Sequence, residues 1–293
     1  MRIDAHIHTG LNREEYVIDP KGNQKRLMEG LRAAGLDGGV ILSVDPIKFR
    51  DWDPEKRLQD CLATCEGEKN LFPVYYINPL ESDMLDQIDM AVKAGVYGFK
   101  MICSEYAPSN ERCMIACEEI AKNNKPVLFH SGICWDGLAS ANNNKPSNFE
   151  ALIEIPRLRF CLAHVSWPWF DECIAVYGKF NNAYYRRPDM SCEMFIDVTP
   201  GTPRLYREEV FTHLLSWSSY ELRYNLIFGT DCNTSKYNTS WAAEWQKRDD
   251  DLYRKLIPND VEDFMDHVYC KNLLRYFGIS DENPAKVIPM VGE

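Results

Sequence analysis

Short apolar runs alternate with amphipathic stretches along the whole chain. The runs are rich in β-branched and aromatic residues and predict strands at 2–8, 39–44, 71–77, 97–102, 126–130, 158–164, 192–198 and 225–229. The stretches repeat apolar residues at helical spacing and predict helices at 24–34, 55–66, 84–94, 110–123, 148–153, 169–181, 205–216, 240–256 and 261–277. Gly35 and Gly95 directly follow two of these helices, as is common at helix ends. The pattern predicts eight strand–helix units.

The predicted strands are almost continuously apolar, which is typical of parallel strands covered on both faces. An α/β fold of the (β/α)₈ TIM-barrel type is the simplest architecture with eight such units, and 293 residues suit it. A doubly wound open sheet is the alternative, but it would normally carry a glycine-rich phosphate turn after its first strand, and residues 8–11 form none. Because no repeat or linker interrupts the pattern, we predict a single domain over 1–293.

Composition narrows the class of protein. A hydrophobic fraction of 45% with 26% charged residues indicates a folded globular chain. The net charge of −11 argues against nucleic acid as a partner, since binding to phosphates depends on lysine and arginine. No apolar run approaches the roughly 20 residues that cross a membrane. The first residues form no apolar signal region, and the eleven cysteines are an odd number without a CxxC pair, so we expect a cytoplasmic protein.

Histidines collect at the ends of predicted strands. His6 and His8 lie two apart in strand one, so strand alternation directs both side chains to one face. His130 and His164 end strands five and six, and Asp231 directly follows strand eight. The carboxyl ends of barrel strands meet at one mouth, where such enzymes carry their active sites. The pair in strand one could by itself be structural, but the joint pattern favours a metal site.

The same segments carry a resemblance to a known family. They are IDAHIH (3–8), GFKM (98–101), PVLFHSG (126–132), LAH (162–164), IFGTD (227–231) and, at the end, NLLRYFG (272–278). In this order they resemble the amidohydrolase superfamily, more narrowly the amidohydrolase-related branch that includes the aminocarboxymuconate semialdehyde decarboxylases. These motifs are specific for the superfamily and say nothing about the substrate.

The resemblance implies a divalent ion bound by His6, His8 and His130, with Asp231 completing the site. Neutral imidazoles and a carboxylate suit zinc, which is the metal we expect, one ion per chain. Asp231 would exchange protons with an activated water, and His164 would polarise or protonate the substrate carbonyl. Without the resemblance, His164 would be interpreted as a satisfied buried histidine and Asp231 as a turn or cap residue.

Lys100 ends predicted strand four and has three interpretations. In part of the superfamily a carboxylated lysine at this place bridges two metals, and His130 and His164 would then hold a second ion. An unmodified ammonium would instead bind a substrate carboxylate. The plainest alternative is a salt bridge to Glu105 or Asp231. We expect an unmodified, substrate-binding lysine and a single ion.

The loops after the strands predict the pocket walls. Segments 134–136, 167–169 and 199–204 contribute aromatic rings, a stiff turn and one cation. We predict that Trp169 and Arg204 bind the substrate, Arg204 through a carboxylate. Trp169 could equally be the first packed residue of its helix.

These residues predict a metal-dependent hydrolase that acts on a small amide, ester or lactone bearing a carboxylate. A non-oxidative decarboxylase on the same metal-binding barrel is the first alternative, since fold and ligands alone do not separate the two. A non-catalytic, metal-stabilised binding protein is the second. The presence of Asp231 and His164 beside the ligands argues against it, because a structural site needs no acid–base group. The expected partners are a small-molecule substrate and, as is common in similar proteins, a second copy in a homodimer.

Overall fold

The structure is a computed structural model. It describes residues 1–10, 13, 16, 18–135, 137–187 and 192–280. The predicted domain is therefore described as far as residue 280. Asp136, which belongs to one of the predicted pocket loops, lies outside the described residues.

Parallel strands form one sheet in the described chain. They are β1 (Ile3–His8), β2 (Gly38–Leu42), β3 (Leu71–Tyr76), β4 (Gly98–Met101), β5 (Val127–Phe129), β6 (Arg159–Leu162), β7 (Glu193–Asp197), β8 (Leu226–Ile227) and β9 (Cys232–Asn233). Their order is β8-β7-β6-β5-β4-β3-β2-β1-β9. From β1 to β8 each strand therefore lies beside its neighbour in sequence, as in a barrel, and the crossed order of a doubly wound sheet is excluded.

The last two short strands close the barrel. Leu226 and Ile227 of β8 pair with β7, and Cys232 and Asn233 of β9 pair with β1. Between them the backbone N–H of Ala5 donates to the carbonyl of Phe228 at 2.9 Å. The segment 226–233 thus occupies the eighth position of the barrel and bonds to both sides, which confirms the predicted (β/α)₈ fold.

Helices follow the strands and cover the outside. They are α1 (Pro20–Ala33), α2 (Pro54–Cys65), α3 (Met84–Lys93), α4 (Glu111–Lys122), α5 (Phe170–Arg186), α6 (Arg207–Thr212), α7 (Thr239–Leu256), α8 (Val261–Asp266) and α9 (Asn272–Tyr276). A π-helical turn at His213–Trp217 extends α6, and a second π-helical turn at His267–Lys271 joins α8 to α9. The helix predicted at 148–153 is instead a run of tight 3₁₀ turns that covers nine residues, Pro146–Glu154.

Strand β1 contains a bulge that the period-two pattern does not show. Asp4 pairs with Gly39 and Ile7 with Ile41, so β1 has one more residue than β2 across this interval. Ile3 and Ala5 pack inside the barrel, Ile7 packs outside against the helices, and both histidines of β1 line the interior. The bulge therefore adds His6 to the inward-facing side directly after Ala5.

Apolar residues fill the barrel below the histidines. Val40, Val74 and Leu128 contribute from the strands, and Leu273 and Phe277 close the lower end. The polar residues consequently stay at the carboxyl ends of the strands. None of the helices described here combines the length and the apolar character that a membrane crossing requires. No disulfide joins any two of the eleven cysteines, and ten of them are buried.

Candidate active site

A cavity of about 240 Å³ opens at the carboxyl ends of the strands. Six of the side chains predicted to act in the site line it: His6, His8, Lys100, His130, His164 and Asp231. They come from β1, β4 and the segments that follow β5, β6 and β8. The sequence therefore predicts correctly that these residues meet at one mouth of the barrel.

Three of these side chains form a compact group. The Nε2 atoms of His6 and His8 lie 3.2 Å apart, and Oδ1 of Asp231 lies 3.2 Å from Nε2 of His8 and 3.7 Å from Nε2 of His6. Two ligands of a tetrahedral zinc ion at ordinary bond lengths are separated by about 3.3 Å. The three atoms are thus spaced as ligands of one ion.

Their charge states also suit a metal. Burial lowers the pKa of both His6 and His8, so both rings are neutral at pH 7. Burial by itself would raise the pKa of Asp231, but the hydrogen bond from His8 and the nearby His6 hold it well below its ordinary value. Neutral imidazoles and an ionised carboxylate are the forms in which these side chains bind metals.

A buried carboxylate holds the backbone that carries Asp231. Asp4 accepts from the backbone N–H of Thr230 at 2.9 Å, from the Thr230 hydroxyl at 2.5 Å and from the Tyr237 hydroxyl at 2.8 Å. It also accepts from the backbone N–H of His6, which lies in the bulge. Burial raises the pKa of Asp4 to about 7 in spite of these bonds. Asp4 thereby ties the turn before Asp231 to β1.

His130 stands apart from the compact group. Its ring centroid lies 5.0 Å from that of His164, which in turn lies 5.3 Å from that of His6. The Nε2 atom of His130 is 3.2 Å from the carbonyl of Ile133. Burial, reinforced by His164, lowers its pKa well below the ordinary value. The structure brings His130 to the cavity, while its role as a ligand stays a prediction.

His164 sits in a turn of unusual backbone conformation. His164, Val165 and Ser166 have φ angles of +61°, +48° and +56°, a region that a β-branched residue such as Val165 rarely adopts. The carbonyl of Trp167 accepts from Ile133, and Ser131 donates to the Ser166 hydroxyl, which holds the turn. Backbone strain of this kind is often kept at functional sites.

The charge state of His164 narrows its role. Burial lowers its pKa to about 4, so the ring is neutral at pH 7. Its buried Nδ1 has no hydrogen-bond partner among the described residues. Neutral His164 is therefore better suited to polarise a substrate carbonyl than to protonate it.

Lys100 is fully buried at the end of β4. Its Nζ has no hydrogen-bond partner in the described chain, so neither Glu105 nor Asp231 forms the salt bridge considered from the sequence. Burial lowers the pKa of Lys100 to about 8. An unpaired buried amine that lines a cavity is available to an anionic ligand or to a modification.

Sequence reasoning missed Asp197. It ends β7, is buried, and its Oδ2 lies 2.7 Å from Nδ1 of His6. Burial alone would raise the pKa of Asp197, but the contact with His6 lowers it below its ordinary value. Its position at the end of a strand could have identified Asp197 from the sequence, because the same position identifies Asp231.

Two predicted substrate-binding residues lie away from the cavity. Trp169 stands at the start of α5 with the Lys145 amine 5.3 Å from its ring, and Trp167, after the left-handed turn, takes the place in the cavity wall. Arg204 pairs with Glu244 of α7 at 2.9 Å and is half exposed. The structure thus places Trp169 and Arg204 outside the described cavity wall, where a cation–π contact and an ion pair engage them, and their role in substrate binding stays a prediction.

Apolar side chains form part of the upper cavity wall, beside Asp45, Lys48 and Ser104. Ile102, Ile133, Trp135, Trp167 and Pro200 line it together with the polar groups of the floor. Trp135 is 87% exposed at the rim, which is unusual for a large aromatic side chain. The cavity thus offers metal ligands and a cation below and apolar surface above, as small-molecule sites commonly do.

Solved structures of other proteins share this architecture. A 2,6-dihydroxybenzoate decarboxylase in complex with 2,6-dihydroxybenzoate aligns with a TM-score of 0.63 at 12% identity, over 94% of this chain and 99% of that one. An amidohydrolase from Burkholderia multivorans with bound zinc gives 0.62 at 12% identity, over 95% and 99%. A dihydroxybenzoic acid decarboxylase from Polaromonas sp. JS666, with manganese and 2-nitroresorcinol, gives 0.62 at 10%, over 98% and 99%.

These alignments confirm at the level of the fold the resemblance to amidohydrolases and related decarboxylases. The identities are too low to carry substrates or residue roles from those proteins to this chain. Neither a scan of protein-family sequence models nor a comparison with curated protein sequences gave a match.

Proposed function

We propose that this protein is a metal-dependent enzyme of the amidohydrolase type, which hydrolyses a small amide, ester or lactone carrying a carboxylate. The observation that carries the proposal is the convergence of His6 Nε2, His8 Nε2 and Asp231 Oδ1 at the floor of a 240 Å³ cavity. A structural metal site would be closed by its ligands, whereas this one opens to a space of substrate size.

The donor set fits a single divalent ion, for which we propose zinc. His6, His8 and Asp231 would hold it, with His130 as the fourth candidate. When bound, such an ion lowers the pKa of a coordinated water toward ~7 and polarises a substrate carbonyl. Structures of this fold with zinc and with manganese support a metal but not a choice between the two.

Proton transfer and substrate binding would depend on three further side chains, those of Asp231, Lys100 and His164. The carboxylate of Asp231 borders the cavity and is ionised, so it can accept a proton from water and return it to the leaving group. The Lys100 ammonium would bind the substrate carboxylate from below. His164, neutral at pH 7, would orient the carbonyl through a hydrogen bond. Trp135 and Trp167 would cover the apolar part of the substrate.

A non-oxidative decarboxylase is the second candidate. The decarboxylases of the same fold favour it, and so does a buried cation beneath aromatic walls, which would also suit an aromatic carboxylate. In this reaction the bond between the carboxylate and its carbon breaks, and the carbon receives a proton from an acid in the site. No water adds to the substrate.

One experiment separates the candidates. Zinc-loaded protein is incubated with a panel of lactones, N-acyl compounds, carboxylate esters and hydroxybenzoates, and both ring opening or acid release and carbon dioxide are measured. We expect hydrolysis without carbon dioxide, lost in Asp231→Asn. Carbon dioxide release alone would establish the decarboxylase. Stoichiometric metal without turnover of any compound would favour the metal-stabilised binding protein.

A further inference from the structure

We propose that Asp197 is a positioning residue that fixes His6 as a metal ligand, by holding the ring proton on Nδ1 and leaving the Nε2 lone pair directed at the ion. The inference rests on the metal site of the proposed function. It goes beyond that site because Asp197 touches neither the ion's position nor the cavity in which a substrate would bind.

The contacts of Asp197 define its role. One oxygen, Oδ2, lies 2.7 Å from Nδ1 of His6. The other, Oδ1, accepts from the backbone N–H of Thr199 at 2.5 Å and from the Thr199 hydroxyl. Both oxygens are therefore engaged, and the one that faces His6 acts as the acceptor of a ring N–H. Since Asp197 is only 1% exposed, water does not compete for these bonds.

Its location excludes a direct part in the chemistry. Asp197 does not line the 240 Å³ cavity but borders the small apolar space inside the barrel beneath it, with Ala5 and Leu128. A substrate in the cavity is thus separated from this carboxylate by the ring of His6. In the described structure, its hydrogen bond to the proposed metal ligands is the one to His6.

The effect on His6 follows from imidazole chemistry. A neutral imidazole carries its proton on either nitrogen, and only the unprotonated nitrogen can bind a metal. The carboxylate selects the form with hydrogen on Nδ1, and Nε2 then faces Nε2 of His8 and Oδ1 of Asp231. Carboxylates that orient metal-bound histidines typically contribute 10–100-fold to metal affinity.

The surrounding backbone keeps the ring in place. A Cβ added at Gly229 would lie 2.7 Å from Cβ of His6 and 2.4 Å from the Thr199 hydroxyl. The absence of a side chain there lets β1, β7 and the segment after β8 approach closely enough for Asp197 to reach His6. Asp197 and Gly229 thereby set the orientation of a ring that starts in a different strand.

The test measures zinc affinity and the tautomer of His6. Zinc affinity is determined by chelator competition for the parent, Asp197→Asn, and Asp250→Asn as a control. Asp250 is a buried carboxylate that bonds to Tyr269 and Arg2 and lies away from the site. We expect Asp197→Asn to bind zinc 10–100-fold more weakly, and Asp250→Asn to bind it as the parent does even if its melting temperature falls.

Nitrogen-15 NMR of the metal-free protein provides the second readout, and its measurement on the parent does not depend on the folding of a variant. We expect His6 to carry its proton on Nδ1 in the parent and to lose this preference in Asp197→Asn. Equal zinc affinity in the parent and Asp197→Asn, or a proton on Nε2 of His6 in the parent, would overturn the role of Asp197. A parent that binds no zinc although His6 is protonated on Nδ1 would instead overturn the proposed function and, with it, the ligand role.

Discussion

Burial and neighbouring rings together set the pKa of the polar side chains at the floor of the cavity. It lowers the pKa of the histidines and of Lys100, while the surrounding rings keep Asp231 ionised. The floor therefore combines neutral donors, one carboxylate and an amine that titrates near pH 8. Each of these states has a measurable consequence.

Asp231→Asn should lose far more turnover than metal. The amide keeps one oxygen for coordination but cannot accept a proton from water, so turnover should fall by about 10²–10⁴-fold. Activity and bound zinc are measured on the same preparation. Asp171→Asn, a change of a surface carboxylate that contacts His213, serves as the control. Near-parental turnover in metal-loaded Asp231→Asn would show that another group moves the proton.

The pH profile of substrate binding should have a basic limb that is due to Lys100. Below its pKa of about 8 the amine is a cation that attracts a carboxylate, and above it the attraction is lost. The KM for a carboxylate substrate should therefore rise as pH increases through 8, and Lys100→Met should have a high KM without this limb. Lys125→Met, at the opposite end of the barrel, should retain it. A limb that persists in Lys100→Met would contradict the assignment.

The number of metal ions per chain depends on whether Lys100 is carboxylated. Carboxylated Lys100 would require bicarbonate for reconstitution of the apoprotein and would support two ions. We expect one ion, and reconstitution by zinc that is independent of bicarbonate. A bicarbonate requirement together with two zinc ions per chain would establish the bridged site instead.

At the level of elements, the site depends on how β1 meets the segment that closes the barrel. The bulge in β1 places His6 and His8 inward, Asp4 ties this strand to Thr230, and the backbone N–H of Asp231 donates to the carbonyl of His6 at 3.0 Å. The ligands are thus fixed by the junction of the first and last strands, so crowding this junction should disturb the metal site.

Gly229→Ala tests this junction. The added Cβ would contact His6 and Thr199, and overpacking of this kind costs about 1–3 kcal/mol of unfolding free energy. We expect zinc affinity to fall by roughly tenfold or more as well, because His6 is displaced. Gly35→Ala is the matched control. Its φ of +78° makes alanine unfavourable by about 1–2 kcal/mol, but no atom lies within 4 Å of the new Cβ, so zinc affinity should not change. Equal zinc affinity in both variants would contradict the prediction.

At the scale of the whole molecule, metal binding should stabilise the barrel. An ion that joins β1 to the segment after β8 binds only the folded state, and a hundredfold excess over Kd contributes about 2.7 kcal/mol. Zinc should raise the melting temperature by roughly 4 °C in a chain of this size, and elemental analysis should find about one ion per chain. The variant His6→Ala/His8→Ala should lose both effects. Stoichiometric zinc in that variant would show that the site lies elsewhere.

The fold and the approximate location of the site could both be predicted from the sequence, because both follow from the order of the strands. The period of apolar residues reports the local backbone geometry, and the order of eight strand–helix units leaves few topologies. Once the strands are parallel neighbours in a barrel, their carboxyl ends must meet. His6, His8, His164 and Asp231 therefore needed only their positions at strand ends to be placed together, and Lys100 and His130 followed by the same rule.

What only the tertiary structure decided are the pairings between residues distant in sequence. Asp197 meets His6 across 191 positions, and Arg204 pairs with Glu244. The left-handed turn after β6 brings Trp167 to the cavity in place of Trp169. Periodicity contains no information on such contacts, because they depend on the relative orientation of separate elements to within an ångström. The sequence by itself thus determined which strand ends carry the chemistry, and three-dimensional packing determined which partner holds each group there.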